Sequence, residues 1–363
     1  MLFRSGPQPP FVFTDANAGN MRIFDPHLKL PYALEWDVAL EKALSSNQTF
    51  TMTYLGSVGR RLLRDDLVAN PNPLTRDRVA TFYLTRNSAY SNYNALQVQF
   101  QRRLSHGLQA LLSYSWQHSL DINSSNVTYE NPDLPSTLYS IRQDYGNSDF
   151  DIRQGFSAAL TYNVPGVKTS NGIVNAALRN WSTDVVSTDR TGTPFNVVYT
   201  PADPGSYTDG AGNAFQFRPN QVPGQPVWIA DSSAPTGKRL NQAAFAIPST
   251  LVQGSESRNN IGGYPLVQID LAARRQFNFG EGINLQFRVE GFNVLNHPNF
   301  SNPENSLGTC ALGVPCTPEY GWGTSQAMLN QGLGGGNFHG SPLNGLYQVG
   351  GPRSLQASMK LQF

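Results

Sequence analysis

Three observations predict an all-β fold, an antiparallel transmembrane β-barrel. Apolar and polar residues alternate with period two in nine stretches, the pattern of strands with one greasy and one wet face. The connections between those stretches alternate short and long, and every long one falls on the same side. Charged residues make up only 14% of the chain, against about 25% in ordinary soluble proteins, while Gly (33), Phe (20) and Tyr (15) are plentiful.

The first stretch sets Tyr32, Leu34, Trp36, Val38 and Leu40 against Glu35, Asp37 and Glu41. After the turn "SSN" the second sets Phe50, Met52 and Tyr54 against threonines. The third carries Leu96, Val98 and Phe100 against Gln97, Gln99 and Gln101, and "SHG" turns it into the fourth, Leu108 through Trp116. Phe156 to Val164 form the fifth, and Trp181, Thr183 and Val185 a weaker sixth. Val267, Ile269, Leu271 and Ala273 run on to Phe277 and Phe279 in the seventh. "GEG" reverses it into the eighth, where Ile283, Leu285, Phe287 and Val289 alternate with Asn284, Gln286, Arg288 and Glu290. The ninth is Leu355, Ala357, Met359, Leu361 and Phe363.

Short turns are expected near 45–47, 105–107, 165–179 and 280–282, and long loops at about 59–91, 120–150, 192–264 and 296–352. Loops this long are uncommon in compact soluble domains. A membrane barrel has this asymmetry, with short periplasmic turns and long external loops. Lipid supplies no hydrogen bonds, so strands cross it only in a sheet that pairs its own backbone groups. Aromatic residues fall near both rims, with Tyr32, Trp36, Trp116 and Phe156 on the outer side and Tyr162, Trp181, Phe277, Phe279 and Phe363 on the inner, as an interfacial belt requires.

Composition also excludes. A net charge of +1 without Lys/Arg runs gives no footprint for nucleic acid. No apolar run reaches the 18 or so residues of a spanning helix, and "MLFRSGPQPP" has no apolar core of a secretory leader. The five histidines share no metal-ligand spacing, and "GLGGGNFHG" (332–340) lacks the Lys-Ser/Thr of a phosphate loop. No catalytic, cofactor or metal residue is therefore assigned. Asp149 and Asp151 in "SDFDIR" are expected to pair with Arg153 or hydrate a loop. Asp270, Arg274, Arg288 and Glu290 lie on the lumen face of the seventh and eighth strands, where they pair across the sheet or meet a plug. For Cys310 and Cys316 in "CALGVPC", a local disulfide and two free thiols both fit.

"SDFDIRQGFSAALTYNVP" (148–165), "TGTPFNV" (191–197), "LQFRVEGFNVLNHPNF" (285–300) and the closing "SLQASMKLQF" resemble the C-terminal barrel of TonB-dependent receptors of the Oar-like kind, over about residues 90–363. The resemblance implies a bacterial outer-membrane location, a barrel of about 22 strands, and uptake of a bulky ligand without catalysis. Nine strands are then a part of that barrel, with residues 1–31 a partial external loop and 32–363 the C-terminal barrel. The expected partners are outer-membrane lipid, the barrel assembly machinery, and the TonB complex only through a plug lying outside this chain. Leu355, Ala357, Met359, Leu361 and Phe363 look like the closing-strand signal that the assembly machinery reads, or a plain last strand. A passive porin or adhesin-like barrel is the alternative, and a soluble all-β carbohydrate-binding or hydrolytic domain a more distant one. The ligand is not legible.

Overall fold

The computed structural model describes residues 22–69, 81–124, 141–166, 171–202, 216–279, 282–318, 320–325, 329 and 349–363. Residues 1–21 of the expected external loop, and "GLGGGNFHG", lie outside them. Nine long strands form one antiparallel sheet. They are β1 (Tyr32–Ser45), β2 (Gln48–Ala69), β3 (Thr81–Ser105), β4 (Leu108–Asp121), β5 (Gln154–Asn163), β6 (Trp181–Arg190), β7 (Leu266–Phe279), β8 (Ile283–Phe292) and β9 (Ser354–Gln362). Each pairs with its sequence neighbours, so β1 and β9 are the two outer strands of an open, unclosed sheet. Short strands at Arg22–Phe24 and Gly146–Asn147 extend the outer ends of β3 and β4.

The register keeps the two faces chemically distinct across the sheet. On one face Leu40 opposes Met52, Met52 opposes Val98, Val98 opposes Tyr114 and Tyr114 opposes Phe156. Farther along, Val289 sits between Ala273 and Ala357, and Phe287 opposes Met359. One residue away, the other face carries an unbroken polar row of Glu41, Thr51, Gln99, Ser113, Ser157, Thr188 and Gln268, each opposite the next. Because the side-chain period is two, a slip of one residue would exchange these faces on any strand.

Charges on the apolar face sit at its rims. Asp189, at the outer end of β6, accepts from Ser187 Oγ at 2.7 Å. Arg275, at the opposite end of β7, lies 4.3 Å from the Phe277 ring centre and 5.4 Å from that of Trp181. Such rings, apolar with a polar edge, suit a membrane–water boundary. Gly56 stands opposite Trp36 because a Cβ there would overlap the indole.

Among the described residues, no second layer covers the apolar face. Val38, Val289 and Leu355 remain 69%, 54% and 76% exposed. A soluble sandwich seals such residues between two sheets, and here the water-excluded core lies elsewhere. Phe195, Val197, Tyr199, Phe217, Leu240 and Trp322 belong to a buried cluster made by the two longest loops. Val198–Pro201 pairs in parallel with Ser306–Cys310, folding the β6–β7 and β8–β9 connections into one cap, and within the first of these Pro194–Phe195 pairs antiparallel with Ile261–Gly262.

Two loop expectations are corrected. Residues 59–91 are largely strand, since β2 runs to Ala69 and β3 starts at Thr81, with bulges between Gly59 and Arg64 hiding the alternation. The turn at 165–179 contains a helix, Gly172–Leu178, whose first N–H groups donate to the Asn171 side chain.

Candidate functional site

On the polar face, four charged side chains of β6, β7 and β8 gather into one cluster. β6, β7 and β8 bring Asp184, Ala272 and Glu290 into one row and Ser182, Arg274 and Arg288 into the next. Arg288 donates to Asp184 and to Glu290, both at 2.7 Å, and Arg274 reaches Asp184 at 3.5 Å. Thr161 on β5 completes the Asp184 acceptor set at 2.8 Å. Of the four predicted lumen residues, Arg274, Arg288 and Glu290 meet here. Asp270 does not: it accepts from the Asn293 backbone N–H at 2.8 Å and from Gln268 Nε2 at 2.9 Å.

Asp184 is the member that sequence reasoning missed, although its parity against Trp181, Thr183 and Val185 already places it on the opposite face. The guanidinium–carboxylate contacts leave Arg288 with two charged acceptors, a strong and directional arrangement.

The segment where β8 stops alternating pins the sheet to the loops. Asn293 adopts a left-handed φ of 47°, which Asn tolerates better than most residues. Its Nδ2 donates to the carbonyls of His297 and Gly351, each at 2.9 Å. Asn299 accepts from Val267 N–H at 2.9 Å and returns a bond to Val267 O at 3.0 Å. Both residues are buried; the Asn299 side chain acts as a short piece of extra strand for β7, and that of Asn293 ties the end of β8 to the segment before β9.

On the outer side, buried ion pairs tie the cap to the strand ends. Asp144 bridges Arg64 of β2 (2.8 Å) and Arg218 of the cap (3.4 Å), while Asp66 takes Arg64 at 3.3 Å and also Arg86. Arg258 joins Asp121 at the top of β4 (2.5 Å) to Asp149 (3.0 Å), and Asp151 pairs with Arg153 at 3.2 Å. Within the cap, Glu256 is 2% exposed. Burial pushes its carboxyl up to about 8, against the opposing pull of the Val197 N–H and the Arg218 charge. Cys310 and Cys316 are joined by a disulfide. Among the described residues, no three His, Cys, Asp or Glu side chains are grouped to hold a metal ion.

Leu355, Ala357, Met359 and Leu361 share the apolar face with Gly291, Val289, Phe287 and Leu285. Phe363 follows the strand and is 98% exposed.

A bare apolar face, a polar opposite face and loops gathered at one end define an outer-membrane β-barrel protein. The chain belongs to the family described as "Outer membrane beta barrel domain", whose model matches residues 3–326, and its place is the bacterial outer membrane. No curated protein matches it. Among solved structures it is similar to the outer membrane transporter YddB from Escherichia coli, at 9% identity and a TM-score of 0.48, covering 95% of this chain and 34% of that one. It is similar to the FrpB iron transporter from Neisseria meningitidis at 14% identity and a TM-score of 0.37, covering 83% and 31%. For P. aeruginosa FpvA, solved bound to pyoverdine, the values are 10% and 0.40, covering 79% and 26%. The chain thus spans roughly a third or less of the length of these structures.

Proposed function

We propose that the chain forms the C-terminal part of the barrel, residues 32–363, of an Oar-like TonB-dependent receptor that imports a bulky ligand and makes or breaks no bond. One observation carries the reading: a continuous apolar face left bare beside an unbroken polar row. That is the cross-section of a wall between lipid and a wet interior. The quoted motifs, above all "LQFRVEGFNVLNHPNF", support the receptor subtype. In this reading residues 1–31 belong to an external loop, and the Arg274–Asp184–Arg288–Glu290 cluster is where a plug rests. β9, with Phe363 directly after it, is the strand that the assembly machinery engages.

The test uses the full-length protein in outer membranes. A photo-crosslinking residue replacing Gln286, next to the cluster, is expected to join the lumen wall to an N-terminal plug of the same polypeptide. The purified protein is expected to bind the C-terminal domain of TonB. Large, steady ion conductance in planar bilayers with neither result would favour the passive porin instead.

A further inference from the structure

We infer that the outer cap contains a binding cleft for an uncharged, largely apolar organic group, an aryl or branched-alkyl moiety, separate from the lumen wall. The cleft encloses about 540 Å³, within the usual range for small-molecule sites. Phe245, Ile247 and Leu307 form its floor, and Val314, Pro315 and Cys316 its lip. The floor residues belong to the buried cluster of the cap, so the floor is already packed and dry on its far side.

Charge decides the ligand class. Among the described residues, no Asp, Glu, Lys, Arg or His lines the cleft. Gln242, the one amide side chain among the described lining residues, donates its Nε2 to the Cys316 carbonyl at 2.7 Å. An ionic group entering this cleft would give up water and meet no opposite charge among the described lining residues, which disfavours it. An apolar group would gain by burying its surface against Phe245, Ile247 and Leu307.

The lip is built to hold its shape. The Cys310–Cys316 bond closes it into a ring, and the Gly313 N–H donates to the Pro248 carbonyl at 2.9 Å. A positive φ of 70° lets Gly313 make that turn. A wall held in place before the ligand arrives spares the ordering cost of binding. Val314 is 52% exposed, so the cleft is reached from the loop side, which is outside the cell if the proposed orientation holds.

The experiment uses the full-length protein in lipid nanodiscs and an uncharged phenyl-diazirine photoprobe, with labelled residues mapped by mass spectrometry. Saturable labelling of residues 242–247 and 307–316 is expected, competed by the unlabelled parent. Val314→Trp, a change at an exposed lip residue, should reduce it at least fivefold. A carboxylate-bearing analogue should label the cleft at least tenfold less. Non-saturable cap labelling, equal labelling by the anionic analogue, or no effect of Val314→Trp would overturn the inference. So would exclusion of the probe together with crosslinking from position 314 to a second protein in cells. Labelling at 283–292 reports lipid contact independently: its absence would count against the barrel reading, not against the cleft.

Discussion

Replacing Glu256 by Gln should stabilise the cap, and increasingly so as the pH rises. The carboxyl is buried, its Oε1 accepts from Val197 N–H at 3.4 Å, and its Oε2 is without a hydrogen-bond partner. The ordinary value for such a group is 4.5, and burial raises it here to about 8. The folded cap therefore keeps a proton that the unfolded chain releases. An acid with a raised folded value contributes its full stability below 4.5, loses it as pH climbs to about 8, and is flat above. At about 1.4 kcal/mol per pH unit, the wild type has lost about 3 kcal/mol by neutral pH. Gln keeps the acceptor for Val197 and never ionises. Hydrogen exchange of the Val197 and Gln253–Asn259 amides, compared between variant and wild type at each pH, reads the difference. The two proteins should match near pH 4, diverge through neutral pH, and stop diverging above about 8. A constant difference across that range would refute the burial argument.

Asp144→Asn should free the cap from β2 at a cost of about 3 kcal/mol, because Arg64 and Arg218 stay buried without their shared carboxylate; protease cleavage of the cap reports it. Asp184→Asn, in the wetter lumen cluster, should cost only about 1 kcal/mol in urea unfolding. Asn293→Ala should destabilise the β8–β9 end by about 2 kcal/mol, losing three side-chain bonds and a tolerated left-handed φ, and Asn293→Gly should recover part of that. Opening the Cys310–Cys316 ring with Cys316→Ser should loosen the lip by about 2 kcal/mol, read as faster exchange at Gly313.

Strands were legible wherever one face is uniformly apolar, because lipid outside and water inside impose a period that composition cannot hide. β8 is the clearest case, with four apolar residues alternating against Asn284, Gln286, Arg288 and Glu290. Legibility failed where another constraint replaced that one. In β2 the run "GRRLLRDDL" looks like a loop, since here its charges pair with one another, with β3 and with Asp144 instead of alternating between two faces. The cap core was invisible, for Val197, Leu240 and Trp322 are scattered along the chain and meet only after two loops fold together. Asp184 was passed over because β6 mixes Thr183, Ser187 and Asp189 into its outward face, weakening the alternation that would have marked it. Asn293 and Asn299 look like loop residues and serve as buried hydrogen-bonding pieces of the wall.

Which side of the sheet touches lipid can be read along β8. Single cysteines placed through β8 of the full-length protein, spin-labelled in nanodiscs and exposed to oxygen or to a water-soluble nickel chelate, measure this directly. Labels at 285, 287 and 289 should relax with oxygen, and those at 284, 286 and 288 with the chelate, in strict alternation. Accessibility to the chelate at every position, or to neither reagent at the odd ones, would contradict it.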